Sequence, residues 1–211
     1  FITGAKDYSV NAYGVGTNIL QLMLMTSFGL AGANAALVGR YLGAGTTDIA
    51  RKTAHLSLKI AIIAFSALGM ISFILAPYLI KFFVPNDADV IAAGAHYLRF
   101  ISPIFGLIAS QIIIGSTLQA SGSTKTAMSL TLISTWLIQI PLIYLLSRFT
   151  ELGLDGLWLA FPASNAISII MYLTVFKRSR WHKKKLISKD EKMSEQVELE
   201  VKAETTIPSD Y

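Results

Sequence analysis

The chain has 211 residues, of which 53% are hydrophobic and only 15% charged, with a formal net charge of +5. That balance lies outside the usual composition of soluble domains and argues against a water-solvated globular fold. The sequence contains no cysteine, which excludes disulfides and thiolate metal sites.

Five stretches carry no charged residue: 8–39, 60–80, 100–122, 126–147 and 156–176. About 20 apolar residues let a helix cross roughly 30 Å of hydrocarbon. Each stretch is therefore expected to span a bilayer. The expected fold class is all-α, a polytopic transmembrane helix bundle of five spans over residues 1–182. The chain begins at Phe1, without an initiator methionine or a charged n-region. It is expected to be a fragment that lacks a signal peptide.

In the first span, Asn11, Gly14, Asn18, Gln21 and Met25 recur at three- and four-residue intervals and share one helix face. Gly32, Ala36, Gly39 and Gly43 continue it, and small residues at such spacing allow close helix packing in lipid. Amides in hydrocarbon need partners or water, so this face is expected to point into the protein or a cavity. Thr46, Thr47 and Asp48 are expected to cap an amphipathic lead-in holding Arg51, Lys52, His55 and Lys59 at the interface before Ile60. Pro85, Asn86 and Asp87 are expected to close the second helix and open the third, with Asn86 or Asp87 as N-cap.

Polar uncharged residues line the later spans with the same periodicity. The third carries Gln111, Gly115, Gln119 and Gly122; the fourth Thr131, Thr135 and Gln139; the fifth Ser164, Asn165, Ser168 and Tyr172. Two readings stay open: interhelical hydrogen bonding, or a water-accessible transport cavity to which Asn18, Gln21, Gln111, Gln139 and Asn165 contribute. Pro103, Pro141 and Pro162 fall inside three spans. They are either helix pivots or the ordinary prolines of membrane helices. The turns between the later helices are read at 121–124 and 152–156.

Lys177, Arg178, Arg180, Lys183, Lys184 and Lys185 follow the last span, where lipid headgroups attract them. They account for most of the net charge without a nucleic-acid partner. Residues 183–211 read as a polar, disordered tail. If that basic cluster is cytoplasmic, the same side holds Arg40, Arg51, Lys52 and Lys125, and the opposite side Lys6, Lys81 and Arg148. Phe1 then lies outside, which implies a further helix upstream.

No Asp or Glu lies deep in any span, where such groups usually mark ion relays. His96 and Arg99 read as interfacial, near the outer end of the third span. No phosphate-cradling loop, paired carboxylates or nucleophile–base set is present. No enzyme activity, cofactor or metal is expected.

The order of landmarks resembles the multidrug and toxic-compound extrusion (MATE) family of secondary transporters. It runs through NAYGVGTNILQLMLMTSFGLAGANAALVGRYLGAG, Ala50-Arg51-Lys52, FFVPNDADVIAAGAHYLRF, LQASGSTKT, IQIPLIYLLS with LGLDGLWLAFPASN, and FKRSRW. Two positions depart from the family's pattern: Arg40 stands where glutamine is frequent, and Ser123 where Asp is usual. The resemblance covers residues 8–181 and implies helices eight to twelve of a twelve-helix, two-lobed fold, with both termini in the cytoplasm. It further implies efflux of drugs or organic cations in exchange for Na⁺ or H⁺, across the inner (plasma) membrane. An acid that some members carry on the tenth helix aligns near Leu107 or Ile108, so the coupling ion is expected to bind outside this chain, in the missing N-terminal lobe. A lipid-linked precursor flippase of the same superfamily, and a membrane enzyme or channel subunit, are the competing functions.

Overall fold

The first charge-free stretch forms one uninterrupted helix, α1 (Lys6–Gly43). In this computed structural model, residues 6–85, 87–149, 154–178, 197–199 and 201–202 are described. The chain continues through α2 (Thr47–Ile74), α3 (Ala76–Phe83), α4 (Ala88–Ile101), α5 (Phe105–Ala120), α6 (Thr124–Leu132), α7 (Ile140–Phe149) and α8 (Leu154–Arg178). Among the described residues, five helical segments are long and apolar enough to cross a membrane: Gly16–Gly43, Thr47–Ile74, Ala88–Ala120, Thr124–Leu146 and Leu159–Arg178. The all-α, five-span architecture is as the composition requires.

One boundary differs from the sequence reading. The interfacial lead-in and the second span are one continuous helix, and that helix stops at Ile74 instead of running to residue 80. Pro77 sits in the first turn of α3, so its missing N–H and ring end the preceding helix at Leu75. The third helix starts at Ala88 and is capped by Asp87, one of the two N-caps expected from the sequence. The Asp87 carboxylate accepts from the backbone N–H groups of Asp89 and Val90, each at 3.1 Å. Thr46 precedes α2 but makes no side-chain cap; its hydroxyl donates to the Tyr41 carbonyl at 3.0 Å instead.

Two helix ends close with the same left-handed turn. Gly45 (φ 75°) and Gly122 (φ 69°) take the positive dihedral that residues with a Cβ avoid. After each glycine the next amide reaches back five residues, Thr46 N–H to Tyr41 O and Ser123 N–H to Leu118 O, both at 2.9 Å. These turns reverse the chain between α1 and α2, and between α5 and α6.

The α4–α5 span is the centre of the bundle. Buried residues make up 67% of its apolar window, against 6% for Thr124–Leu146. Phe105, Ile113, Ile114 and Leu118 of α5 are almost wholly enclosed, packed with Val38, Phe65, Ile80 and Leu98. Helix α2 crosses this span closely. A Cβ on Gly69 would collide with the Ser102 backbone carbonyl, and one on Gly106 with the Ser66 hydroxyl. The glycines that the sequence pattern offers for close packing do not supply these crossings. At Gly14, Gly32, Gly39, Gly43 and Gly115 an added Cβ would meet nothing within 4 Å. The buried face of α1 is instead Met23, Ser27, Ala31, Asn34, Val38 and Leu42.

The three prolines sit in three different backbones. Pro103 lies in a 3₁₀ turn (Ser102–Ile104) that joins α4 to α5. Pro141 follows a π-helical segment, Ile133–Gln139, whose wider turn accommodates a proline ring pressing on the preceding carbonyls. Pro162 lies inside α8, which continues through it as α-helix. Most of the tail, the side chain of Asn11 and residues 150–153 lie outside the described residues; of the turn expected at 152–156, residues 154–156 instead form the start of α8.

Candidate functional site

Four of the helical segments line an open concavity of about 530 Å³. Helix α1 contributes Phe28, Gly32 and Ala35, and α5 contributes Gln111, Gly115 and Gln119. The α6–α7 span contributes Thr131, Ser134, Thr135 and Gln139, and α8 contributes Phe161, Asn165 and Tyr172. None of the residues lining it is charged. The polar stripes of three spans converge here because each occupies the helix face turned toward the same space.

The convergence is fastened by side-chain hydrogen bonds between helices. The Gln111 amide donates to Asn165 Oδ1 at 3.1 Å, joining α5 to α8. Asn165 in turn donates through Nδ2 to the Phe161 carbonyl at 2.9 Å. That carbonyl lies in the turn around Pro162, so the bond supports the backbone beside a missing N–H. Ser134 donates to Ser168 at 2.6 Å, and the Thr131 and Tyr172 hydroxyls meet at 3.3 Å. Both tie the weakly buried α6–α7 wall to α8. Gln139 lines the concavity half-buried.

Of the five amides singled out in the sequence, Gln111, Gln139 and Asn165 therefore share one space. Asn18 and Gln21 are exposed on α1 and do not line it. They do lie on the stripe that includes Met25, Phe28, Gly32 and Ala35, with heptad-like spacing. At 1.5 Å per residue, Gln21 is about 10 Å along the helix from Phe28. The face is continuous, but the concavity occupies only its second half.

Sequence periodicity does not reveal Asn34. It is 1% exposed, and its Nδ2 donates to the hydroxyls of Ser116 and Thr117, each at 2.9 Å. Those hydroxyls both donate to the Ile113 carbonyl at 2.9 Å. Asn34 lies off the conspicuous α1 stripe, on the buried face with Ser27 and Ala31. Its position seven residues after Ser27 is the available signal.

A family model described as MatE matches residues 1–145. The chain belongs to the MatE family. Among curated relatives of this MatE chain is a probable multidrug resistance protein NorM of Thermotoga maritima, 25% identical over 189 residues. That match covers 90% of this chain and 40% of the relative. An uncharacterized transporter YisQ of Bacillus subtilis is 28% identical over 172 residues, 81% of this chain and 37% of that protein. The chain thus spans about two fifths of the length of these relatives. Among solved structures, the MATE transporter ClbM in complex with Rb⁺ superposes with a TM-score of 0.76 at 18% identity. The superposition covers 84% of this chain and 42% of that one, and shows the shared fold.

Proposed function

We propose that this chain forms one side of a secondary active efflux transporter for drugs or organic cations, driven by exchange for Na⁺ or H⁺. The observation that carries the reading is the uncharged, amide- and aromatic-lined concavity between α1, α5, α6–α7 and α8. Its volume falls within the range of small-molecule sites. Phe28, Phe161 and Tyr172 offer ring faces that attract an organic cation. Gln111, Gln119, Gln139 and Asn165 offer carbonyl acceptors that orient it without fixing a single geometry. Membership of the MatE family supports the same reading.

In this proposal Asn18 and Gln21 extend the polar wall beyond the concavity, and Pro103, Pro141 and Pro162 are where the helices bend. The 3₁₀ turn at Pro103 and the π segment before Pro141 are weak points in the α-helical hydrogen bonding, suited to absorb a rocking motion. The opposing wall and the acid that exchanges Na⁺ or H⁺ belong to an N-terminal lobe. The C-terminal end of α8 faces the cytoplasm of a plasma-membrane protein. A flippase for pyrophosphate-linked lipids would need cations in the concavity, and the residues lining it include no Lys or Arg.

The test is dye efflux from cells expressing the full-length protein under an imposed Na⁺ or proton gradient. Efflux of a fluorescent cation that collapses with one gradient, and falls in Gln111→Leu at normal membrane abundance, is the expected result. Efflux that is independent of both gradients would overturn the antiport reading.

A further inference from the structure

The first three turns of α2 and the last turn of α8 build a second site, away from the concavity. Asp48, Arg51, Lys52, His55, Leu56 and Lys59 line a groove of about 540 Å³ along one face of α2. Their spacing of three and four residues puts them on a single side of the helix. The His55 ring packs on Phe176 with centroids 5.2 Å apart. Phe176 immediately precedes Lys177 and Arg178, both exposed, so the end of α8 that meets α2 here also carries two cations. His55 Nδ1–H donates to the Arg51 carbonyl at 2.8 Å, which holds the ring between the two helices. Asp48 is the one carboxylate among the lining residues.

We propose that this groove binds the phosphate of an anionic phospholipid at the membrane surface. Depth is the first argument. With 28 residues α2 is about 42 Å long, roughly 12 Å more than the hydrocarbon core it crosses. Its first two turns therefore stand in the headgroup layer, carrying Arg51 and Lys52. Lys59 lies deeper, from where its long side chain reaches back to that layer.

The second argument is the order of chemistry along the face. Below Arg51 and Lys52 come Leu56, Ile60 and Ile63, exposed by 58%, 45% and 70%. A soluble anion has no use for this apolar continuation, whereas a lipid presents its phosphate and its acyl chains in the same order. Arg51 supplies planar, two-pronged recognition of phosphate oxygens. Lys52, Lys59, Lys177 and Arg178 add charge attraction to an anionic surface.

The experiment uses the full-length protein, purified in detergent and titrated with phosphatidylglycerol or with phosphatidylcholine of matched chains. Bound lipid is counted by native mass spectrometry. The wild type is expected to prefer phosphatidylglycerol by about tenfold or more. The variant Arg51→Gln/Lys52→Gln/Lys59→Gln is expected to lose that preference, and the opposite-end control Lys81→Gln/Arg99→Gln to keep it. Survival of the preference in the triple variant, or an equal loss in the control, would overturn the proposal. So would displacement of the lipid by an equal concentration of inorganic phosphate, which would assign the groove to a soluble anion. If the triple variant does not fold, Arg51→Gln and Lys52→Gln are tested singly. A partial drop in each is expected, and no drop in either overturns the site.

Discussion

Gln111 and Asn165 join α5 to α8 through an amide–amide hydrogen bond of 3.1 Å at the wall of the concavity. The pair both joins two helices and lines the concavity, and Gln111→Leu separates these roles. Gln111→Leu removes the donor and one polar group of the wall, while the Asn165 amide keeps its bond to the Phe161 carbonyl. Hydrogen bonds between membrane helices average under about 1 kcal/mol, so the folded protein should persist. Efflux of a cationic dye is expected to fall by about tenfold (near 1.4 kcal/mol) or to change its substrate range, with membrane abundance close to normal. Loss of folded protein without a transport-specific defect would instead make the pair a packing device.

The tight helix crossing between α2 and the α4–α5 span gives a prediction about stability. At Gly69 an added methyl meets the Ser102 backbone carbonyl, which cannot move without disturbing the 3₁₀ turn. At Gly106 it meets the Ser66 hydroxyl, the tip of a rotatable side chain. Gly69→Ala is expected to destabilise by about 1–3 kcal/mol, and Gly106→Ala by less. Gly32→Ala and Gly115→Ala, with open space around them, should leave the melting temperature in detergent nearly unchanged. Equal shifts at all four positions would contradict the crossing geometry.

These glycines also mark how far the sequence can be read. Charge-free runs reveal all five spans because lipid excludes charge along a whole helix. The polar faces of α5, α6–α7 and α8 are legible for a related reason: amides and hydroxyls in hydrocarbon are confined to protected faces. Periodicity along one helix does not say which neighbour lies opposite, however. The α1 glycine stripe is visible yet has open space over Gly14, Gly32 and Gly39, whereas Gly69 and Gly106 sit in unremarkable apolar runs and touch α4–α5 and α2. The break at Leu75 is hidden because Pro77 lies in a run with no charge to interrupt it. Asn34 is hidden because two polar residues a heptad apart, Ser27 and Asn34, make no conspicuous stripe on an otherwise apolar buried face.

Buried Asn34 provides a separate check on the α1–α5 contact. Its amide donates to Ser116 and Thr117, while its Oδ1 has no partner among the described residues. Asn34→Asp would put an acceptor-only carboxylate in an enclosed site whose hydrogen-bond partners are two hydroxyls, and is expected to be more destabilising than Asn34→Leu. The reverse order, measured by thermal unfolding in detergent, would show that water or an ion already reaches the site.

Topology can be examined directly because the chain has no cysteine. The helix order brings the turns at Gly45 and Gly122 and the end of α8 to one end of the bundle, with Arg40, Lys125, Lys177 and Arg178. The turn before α4, with Asp89, lies at the other. In an otherwise cysteine-free background, Asp89→Cys is expected to react with an impermeant reagent added to intact cells. Ser123→Cys is expected to react only after permeabilisation. The opposite pattern would invert the orientation.

The last prediction is that residues 1–211 alone do not couple transport to an ion gradient. The concavity is walled by helices of this chain on one side, and Phe28 in that wall is exposed. Alternating access needs a second wall against which this one rocks. Coupling further needs a group whose affinity for the ion differs between the two states, since a ligand with equal affinity for both shifts nothing. The residues lining the concavity include no carboxylate that could bind Na⁺ or exchange a proton. Reconstituted in proteoliposomes under an imposed Na⁺ or pH gradient, the chain by itself should leave a fluorescent cation undisturbed. Gradient-dependent movement of the dye would place the coupling group within these helices and overturn the assignment of the acid to an N-terminal lobe.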